Sequence, residues 1–288
     1  MELFRALAVL AEPPVAEGAR VAEALGLGPM PDAATYTELF VFELYPYASV
    51  YVGPEGMLGG EARARVGDFW RALGGVPPVE PDYLAVMLAF YARLVEMEEE
   101  ESDGVRRRSW RAARKAFLWE HLLSWLPLYL TKLAEVAGPF YRGWGELLAQ
   151  ALMAEAETVG RQERLPLHLR CAEGLVDPRT EREAGEFLQS LLCPARTGMI
   201  LLRSDLARAA HELGLGLRLG ERKFILRALC GQDAGRVLGW LGREAESWIE
   251  RHRLYRQGLG GVAVVWEERA AATARLLREL EPVAKEVE

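Results

Sequence analysis

Phe117-Leu118-Trp119-Glu120-His121-Leu122-Leu123-Ser124-Trp125-Leu126-Pro127-Leu128-Tyr129-Leu130 is apolar at most positions, and Phe117, His121, Trp125 and Tyr129 recur at every fourth one. That spacing stacks the three rings and the imidazole on one face of a helix. Pro127 inside such a helix is expected to kink it and free a carbonyl near the rings. Polar Glu120 and Ser124 flank the tryptophans, so the expected surface is a kinked, ring-lined groove rather than a sealed core.

Upstream, Glu80-Pro81-Asp82-Tyr83 opens the apolar run Leu84 to Leu94, a pattern that reads as a helix start with Asp82 as N-cap. The run ends in Glu96-Met97-Glu98-Glu99-Glu100-Glu101, expected to be a solvated helix end, before Arg106-Arg107-Arg108 begins the next helix. Towards the N-terminus, helical spacing on either side of Pro13-Pro14 gives one helix or a short pair, and Asp32 or Thr35 can cap the helix carrying Tyr36, Leu39 and Phe40. Gly138-Pro139 stops the central helix and a further one runs from Phe140 to Val159.

Beyond Gly160 to Pro178, amphipathic helices are expected over 181–192, 203–213, 221–229, 235–251 and 267–280. Only Gly261 to Trp266 could pass for a strand, and it leads back into helix. The fold class is therefore all-α: a helical bundle over residues 1–164, followed by a helical extension or second domain over 165–288.

Half of the 288 residues are hydrophobic, yet no stretch approaches the ~20 uninterrupted apolar residues of a membrane span. Met1-Glu2-Leu3-Phe4-Arg5 lacks the features of an export signal, so a cytoplasmic protein is expected. Cys171, Cys193 and Cys230 are odd in number and widely spaced, which suggests neither a disulfide framework nor a zinc site. Residues 1–160 carry 14 basic and 23 acidic side chains, whereas 161–288 carry 21 and 19. An acidic N-terminal half disfavours nucleic acid and suits a cationic peptide.

His121 reads as a core histidine, a metal ligand or a base. His168, His211 and His252 share no ligand spacing with it, and no nucleophile elbow or phosphate loop accompanies it. Neither catalysis nor a cofactor is expected.

Tyr36-Thr37-Glu38-Leu39-Phe40 fits an aromatic-x-x-Leu-Phe motif, and Glu80-Pro81-Asp82-Tyr83 fits a Glu-Pro-Asp-His motif with tyrosine in the histidine place. In that order, and over roughly residues 30 to 160, the chain resembles the TorD-like family of redox-enzyme maturation chaperones, the relatives of DmsD and NarJ. The resemblance implies a non-enzymatic cytoplasmic chaperone for the catalytic subunit of a molybdopterin oxidoreductase. It would hold the client's twin-arginine signal peptide until the client's cofactor is inserted. Asp82 and Glu120 are the expected carboxylates for the arginine pair. Tyr36, Phe40, Tyr83, Met87, Tyr91, His121, Trp125 and Tyr129 would line the apolar part. The partners so implied are the molybdoenzyme precursor and its signal peptide, without nucleic acid or a membrane span, and with a homodimer left open.

The rival reading is a helical transcription regulator. Ser204 to Leu215 resembles the first helix and turn of a helix-turn-helix, with Glu221 to Arg227 as the following helix.

Overall fold

Several helices in this chain start where an acceptor or a proline deals with the unpaired amides of a first turn. Asp32 accepts from the Thr35 amide at 2.8 Å and its hydroxyl at 2.7 Å, and Asp103 accepts from the amides of Val105 and Arg106 at 2.9 and 2.8 Å. Asp233 does the same for Arg236, and Pro139 occupies a first turn. The computed structural model describes residues 2–180 and 184–287, and among these residues there is no strand, only one isolated antiparallel bridge.

The elements run α1 (Glu2–Ala11), α2 (Ala16–Ala24), α3 (Ala33–Tyr36), a π-helical stretch (Thr37–Glu43), α4 (Ala48–Val52), α5 (Gly60–Ala72), α6 (Leu84–Glu100) and α7 (Gly104–Phe117). A second π-helical stretch (Leu118–Leu122) precedes α8 (Leu126–Val136), α9 (Pro139–Val159) and α10 (Leu167–Cys171). Then come α11 (Ala184–Leu191), α12 (Pro194–Thr197), α13 (Arg203–Leu213), α14 (Arg222–Cys230), α15 (Ala234–Arg253), α16 (Arg256–Leu259) and α17 (Gly261–Val287). The expected helix start at Glu181 lies outside the described residues. Gly261 to Trp266, the one strand candidate, is the first turn and a half of α17.

The chain divides into two units, Met1–Ser49 with Leu58–Arg170, and Val50–Met57 with Cys171–Glu288. In the first, α1 lies on α6 and α9, α7 packs on α6 and α9, and α8 pairs with α9. Leu7 and Leu10 of α1 are fully buried, each contributing about 1.5–3 kcal/mol by leaving water. The indole of Trp144 on α9 donates to the Leu7 carbonyl at 3.1 Å. In the second unit α15 and α17 pack along one another, α13 and α14 lie against α15, and α12 against α17.

The central helix departs from the expected geometry. At Leu118–Leu122 the backbone widens to a π pattern, closed by the Leu123 amide donating to the Leu118 carbonyl at 2.7 Å. A turn follows, and Pro127 sits in the first turn of α8, where no amide is needed. Pro127 therefore kinks nothing. The carbonyls of Glu120 and His121 are instead taken by Ser124 Oγ at 2.9 Å and Trp125 Nε1 at 2.8 Å. Because the register shifts between them, Phe117 and His121 form one ring contact at 5.1 Å and Trp125 and Tyr129 a separate one at 5.3 Å.

The acidic run at the end of α6 is likewise only partly solvated. Glu99 and Glu100 are exposed, but Glu96 and Glu98 are buried. Glu96 pairs with Arg5 and Arg93, and Glu98 with Arg111 at 3.2 Å and Arg114 at 2.9 Å. In the second unit, α13 ends at Leu213 and α14 begins only at Arg222. The intervening segment 214–221 is longer than the 3–4-residue turn of a helix-turn-helix.

Candidate functional site

Glu80-Pro81-Asp82-Tyr83 forms one side of a short antiparallel pairing with Pro46-Tyr47-Ala48. The Leu84 amide donates to the Pro46 carbonyl at 2.8 Å and the Ala48 amide to the Asp82 carbonyl at 3.0 Å, which sets Tyr47 opposite Tyr83. Tyr83, not Asp82, is the N-cap of α6, and its side chain caps nothing. The Asp82 carboxylate is buried and accepts from the Ser49 amide in the first turn of α4 at 3.1 Å. Its expected capping role is corrected accordingly: Asp82 joins two segments of chain, because the turn at 81–82 leading into the Tyr47–Tyr83 bridge sets its carboxylate against the Ser49 amide of α4.

Replacing Asp82 by alanine leaves the Ser49 amide buried and unpaired, with an expected stability loss of about 1–3 kcal/mol in denaturant titration. Asparagine keeps an acceptor and should lose less than half of that. Equal losses would show that the charge, not the hydrogen bond, is what matters.

Around the bridge lies a tyrosine and carboxylate cluster. Tyr83 Oη is 3.0 Å from Tyr36 Oη, 3.0 Å from the Ala11 carbonyl and 3.3 Å from Glu12 Oε2, and Tyr36 Oη is 3.3 Å from the same carbonyl. Each phenol has one proton, so only two of these four contacts are donated at a time, shared among the Ala11 carbonyl, Glu12 and the contact between the two hydroxyls. Burial, reinforced by the Tyr36 hydrogen bond, pushes the Tyr83 phenol well above the usual range. The Tyr47 ring tilts against Tyr83 at 5.1 Å, and its hydroxyl donates to Glu80 Oε2 at 3.0 Å. Burial first, and then the Glu80 contact, raises Tyr47 to about 12. Burial also raises Glu12 above the ordinary glutamate value, against the lowering effect of the Tyr83 hydrogen bond.

Glu12 and Glu80 are exposed, and Tyr47 and Tyr83 half-buried. Behind them Tyr36 and Phe40 are buried, with Phe40 edge-on to Tyr141 at 4.8 Å. Next to Glu80 along the chain, Arg63, Arg71, Pro77, Pro78, Val79 and Pro81 help to line a cleft of about 270 Å³, and Val79 is 82 % exposed.

Of the expected site residues, the structure brings together Tyr36, Phe40, Asp82 and Tyr83. Met87, Tyr91, Trp125 and Tyr129 are fully buried, so the ring face anticipated as an open groove is closed core. The physical reason is packing on both sides: α6 lies between α1 and α7, and α8 lies on α9. Tyr91 donates to Glu155 at 2.5 Å, beside Arg114. Glu120 accepts from Gln162 Nε2 and from the Leu167 amide, both at 2.9 Å, and so ties down the 162–167 segment. His121 is wedged between Phe69 at 5.3 Å and Phe117, and burial, with Arg65 adding to it, lowers its pKa to about 4. It is held as a neutral ring at neutral pH. Among the described residues no group of three or more His, Cys, Asp or Glu side chains is placed to hold a metal ion.

Sequence reasoning missed Glu12, Tyr47 and Glu80 as members of this cluster. Tyr47 follows Pro46, and Glu80 opens a motif, but nothing local to either signals the pairing that joins them.

The first unit is thus an all-helical body that displays a tyrosine cluster edged by carboxylates. Residues 31–130 match the family described as nitrate reductase delta subunit. The "Chaperone protein TorD" of Vibrio vulnificus is 32% identical over 135 residues, covering 43% of this chain and 62% of that protein. The protein of the same name from Photobacterium profundum is 31% identical over 88 residues, covering 29% of this chain and 41% of that protein. The chain therefore spans less than two thirds of the length of these curated relatives. Over the matched segment the chain is similar to the TorD-like family, the one that the two sequence motifs suggest.

Proposed function

We propose that this protein is a cytoplasmic, non-enzymatic chaperone for the maturation of a molybdopterin oxidoreductase catalytic subunit, and that it holds the client's twin-arginine signal peptide until cofactor insertion. The observation that carries this reading is the pair of exposed carboxylates, Glu12 and Glu80, on either side of the half-buried Tyr47 and Tyr83. Guanidinium groups pair with carboxylates bidentately and stack on aromatic faces, and the cluster offers both. The net negative charge of residues 1–160 would steer a cationic peptide towards it. The names of the relatives support the same role.

In this reading Asp82 and Glu120 position the site rather than meet the peptide, since backbone amides occupy both carboxylates. Tyr36 and Phe40 back the cluster, while Met87, Tyr91, Trp125 and Tyr129 form the packed body beneath. His121 belongs to that body too. Arg63 and Arg71 at the neighbouring cleft would repel a second arginine pair, so the cleft suits the apolar part of the peptide, against Val79 and the prolines.

Calorimetric titration of the full chain with a synthetic twin-arginine signal peptide tests this. Affinity should fall as salt rises through about 0.15 M, where charges are screened beyond ~8 Å. Glu12→Gln with Glu80→Gln should weaken binding by roughly three- to tenfold. No binding at low salt, or an unchanged affinity in the double variant, would remove the cluster from the peptide site.

A further inference from the structure

The segment between α13 and α14 of the second unit is pinned at both ends and largely exposed between them. Gln232 holds its base: Oε1 accepts from the Gly216 amide at 2.7 Å and Nε2 donates to the Gly216 carbonyl at 2.9 Å. At the far end Arg222 donates to the Leu201 carbonyl at 2.8 Å. Between these anchors Leu217 and Leu219 are 45 % and 86 % exposed, and Phe224, whose ring lies over Gly220, is 50 % exposed. Arg218 and Arg227 are exposed and Lys223 is partly so. Most other arginines of this unit behave differently: Arg179, Arg208, Arg253 and Arg256, for example, each meet a carboxylate.

We propose that this loop is a peripheral docking site for an anionic lipid surface, with Leu217, Leu219 and Phe224 entering the headgroup boundary and Arg218, Lys223 and Arg227 meeting lipid phosphates. Exposed apolar side chains interspersed with three cations, against the single acid Glu221, match the physics of interfacial binding, in which buried apolar area and attraction to anionic lipid add together. Charge complementarity also fixes the orientation. The chain as a whole carries a formal net charge of −7, so only a locally basic face can approach an anionic bilayer. No helix among the described residues is long and apolar enough to cross a membrane, so the contact is reversible surface attachment.

The test is co-sedimentation of the full chain with vesicles of equimolar phosphatidylglycerol and phosphatidylcholine, against vesicles of phosphatidylcholine alone. The protein should pellet with the first and stay in solution with the second. Neutralising the three cations (Arg218→Gln, Lys223→Gln, Arg227→Gln) should weaken association by roughly fivefold per charge. Leu219→Ala with Phe224→Ala should weaken it while leaving the far-ultraviolet circular dichroism unchanged, since both side chains are exposed. Absence of pelleting, equal pelleting with both vesicle types, or undiminished binding by the charge variant would each overturn the proposal. So would capture of a poly-glutamate peptide by the loop without vesicle binding.

Discussion

Gly198→Ala should destabilise the second unit by upward of about 3 kcal/mol in urea titration of the full chain. Gly198 closes the short α12 in the left-handed region, at φ 73°. A Cβ there would stand 2.5 Å from the Ala270 amide nitrogen and 2.7 Å from the Trp266 carbonyl oxygen, both backbone atoms of α17. Neither neighbour can rotate away. The same junction is held by the Gly198 carbonyl against His252 Nε2 at 2.7 Å, by Thr273 Oγ1 donating to Thr197, and by Arg269 Nη1 donating to Ala195. Burial lowers His252 to about 4 and Arg269 to about 10, so this seam is tightly desolvated. Gly214→Ala is the control. Gly214 has a similar φ of 64° but open space around it, so only the conformational cost of about 1 kcal/mol should appear. Equal losses at the two positions would show that crowding against α17 does not govern Gly198.

Arg114→Met should lower the stability of the first unit by about 3–5 kcal/mol at neutral pH. Arg114 reaches Glu98 at 2.9 Å and Glu155 at 2.5 Å, and its own side chain is 8 % exposed. Hydrogen bonds to Glu155 and Tyr91 raise its pKa despite the opposing effect of burial. Without the guanidinium, the poorly solvated Glu98 and Glu155 lose the cation they share, leaving Glu98 only Arg111 and Glu155 the Tyr91 hydroxyl. Acid removes the carboxylate charge that the guanidinium compensates, so the deficit of the variant should shrink as pH falls. Thermal melts of the two proteins at several pH values read this directly, and a deficit that grows on acidification would refute the assignment.

The sequence disclosed most of the helices because their start signals are local. Asp32, Pro139 and Asp103 act within three residues of themselves, and Pro13-Pro14 separates α1 from α2 without help from distant chain. The π-helical stretch at 118–122 has no such signal. It is a one-residue change in hydrogen-bond register that leaves composition untouched, so the four-residue ring spacing was extended through a break it could not detect. For the same reason the spacing alone places Trp125 and Tyr129 on a surface, whereas they are core. Glu98 misled in the opposite direction, because a run of glutamates reads as solvated unless the arginines that meet it, thirteen and sixteen residues further on, are already known to fold back. Residues 50–57, rich in glycine and proline, gave no hint that they fold with the second unit.

The tyrosine cluster draws on Ala11 and Glu12, on Tyr36, on Tyr47, and on Glu80 to Tyr83, none of which can form it alone. During synthesis the surface therefore cannot exist until residue 83 has left the ribosome and the α1 segment has folded back against it. Fraying of any one of the four stretches erases it as well. In the role proposed above, a peptide that seats there would report on the finished state of its holder, and an incompletely folded copy would have no surface on which to retain it.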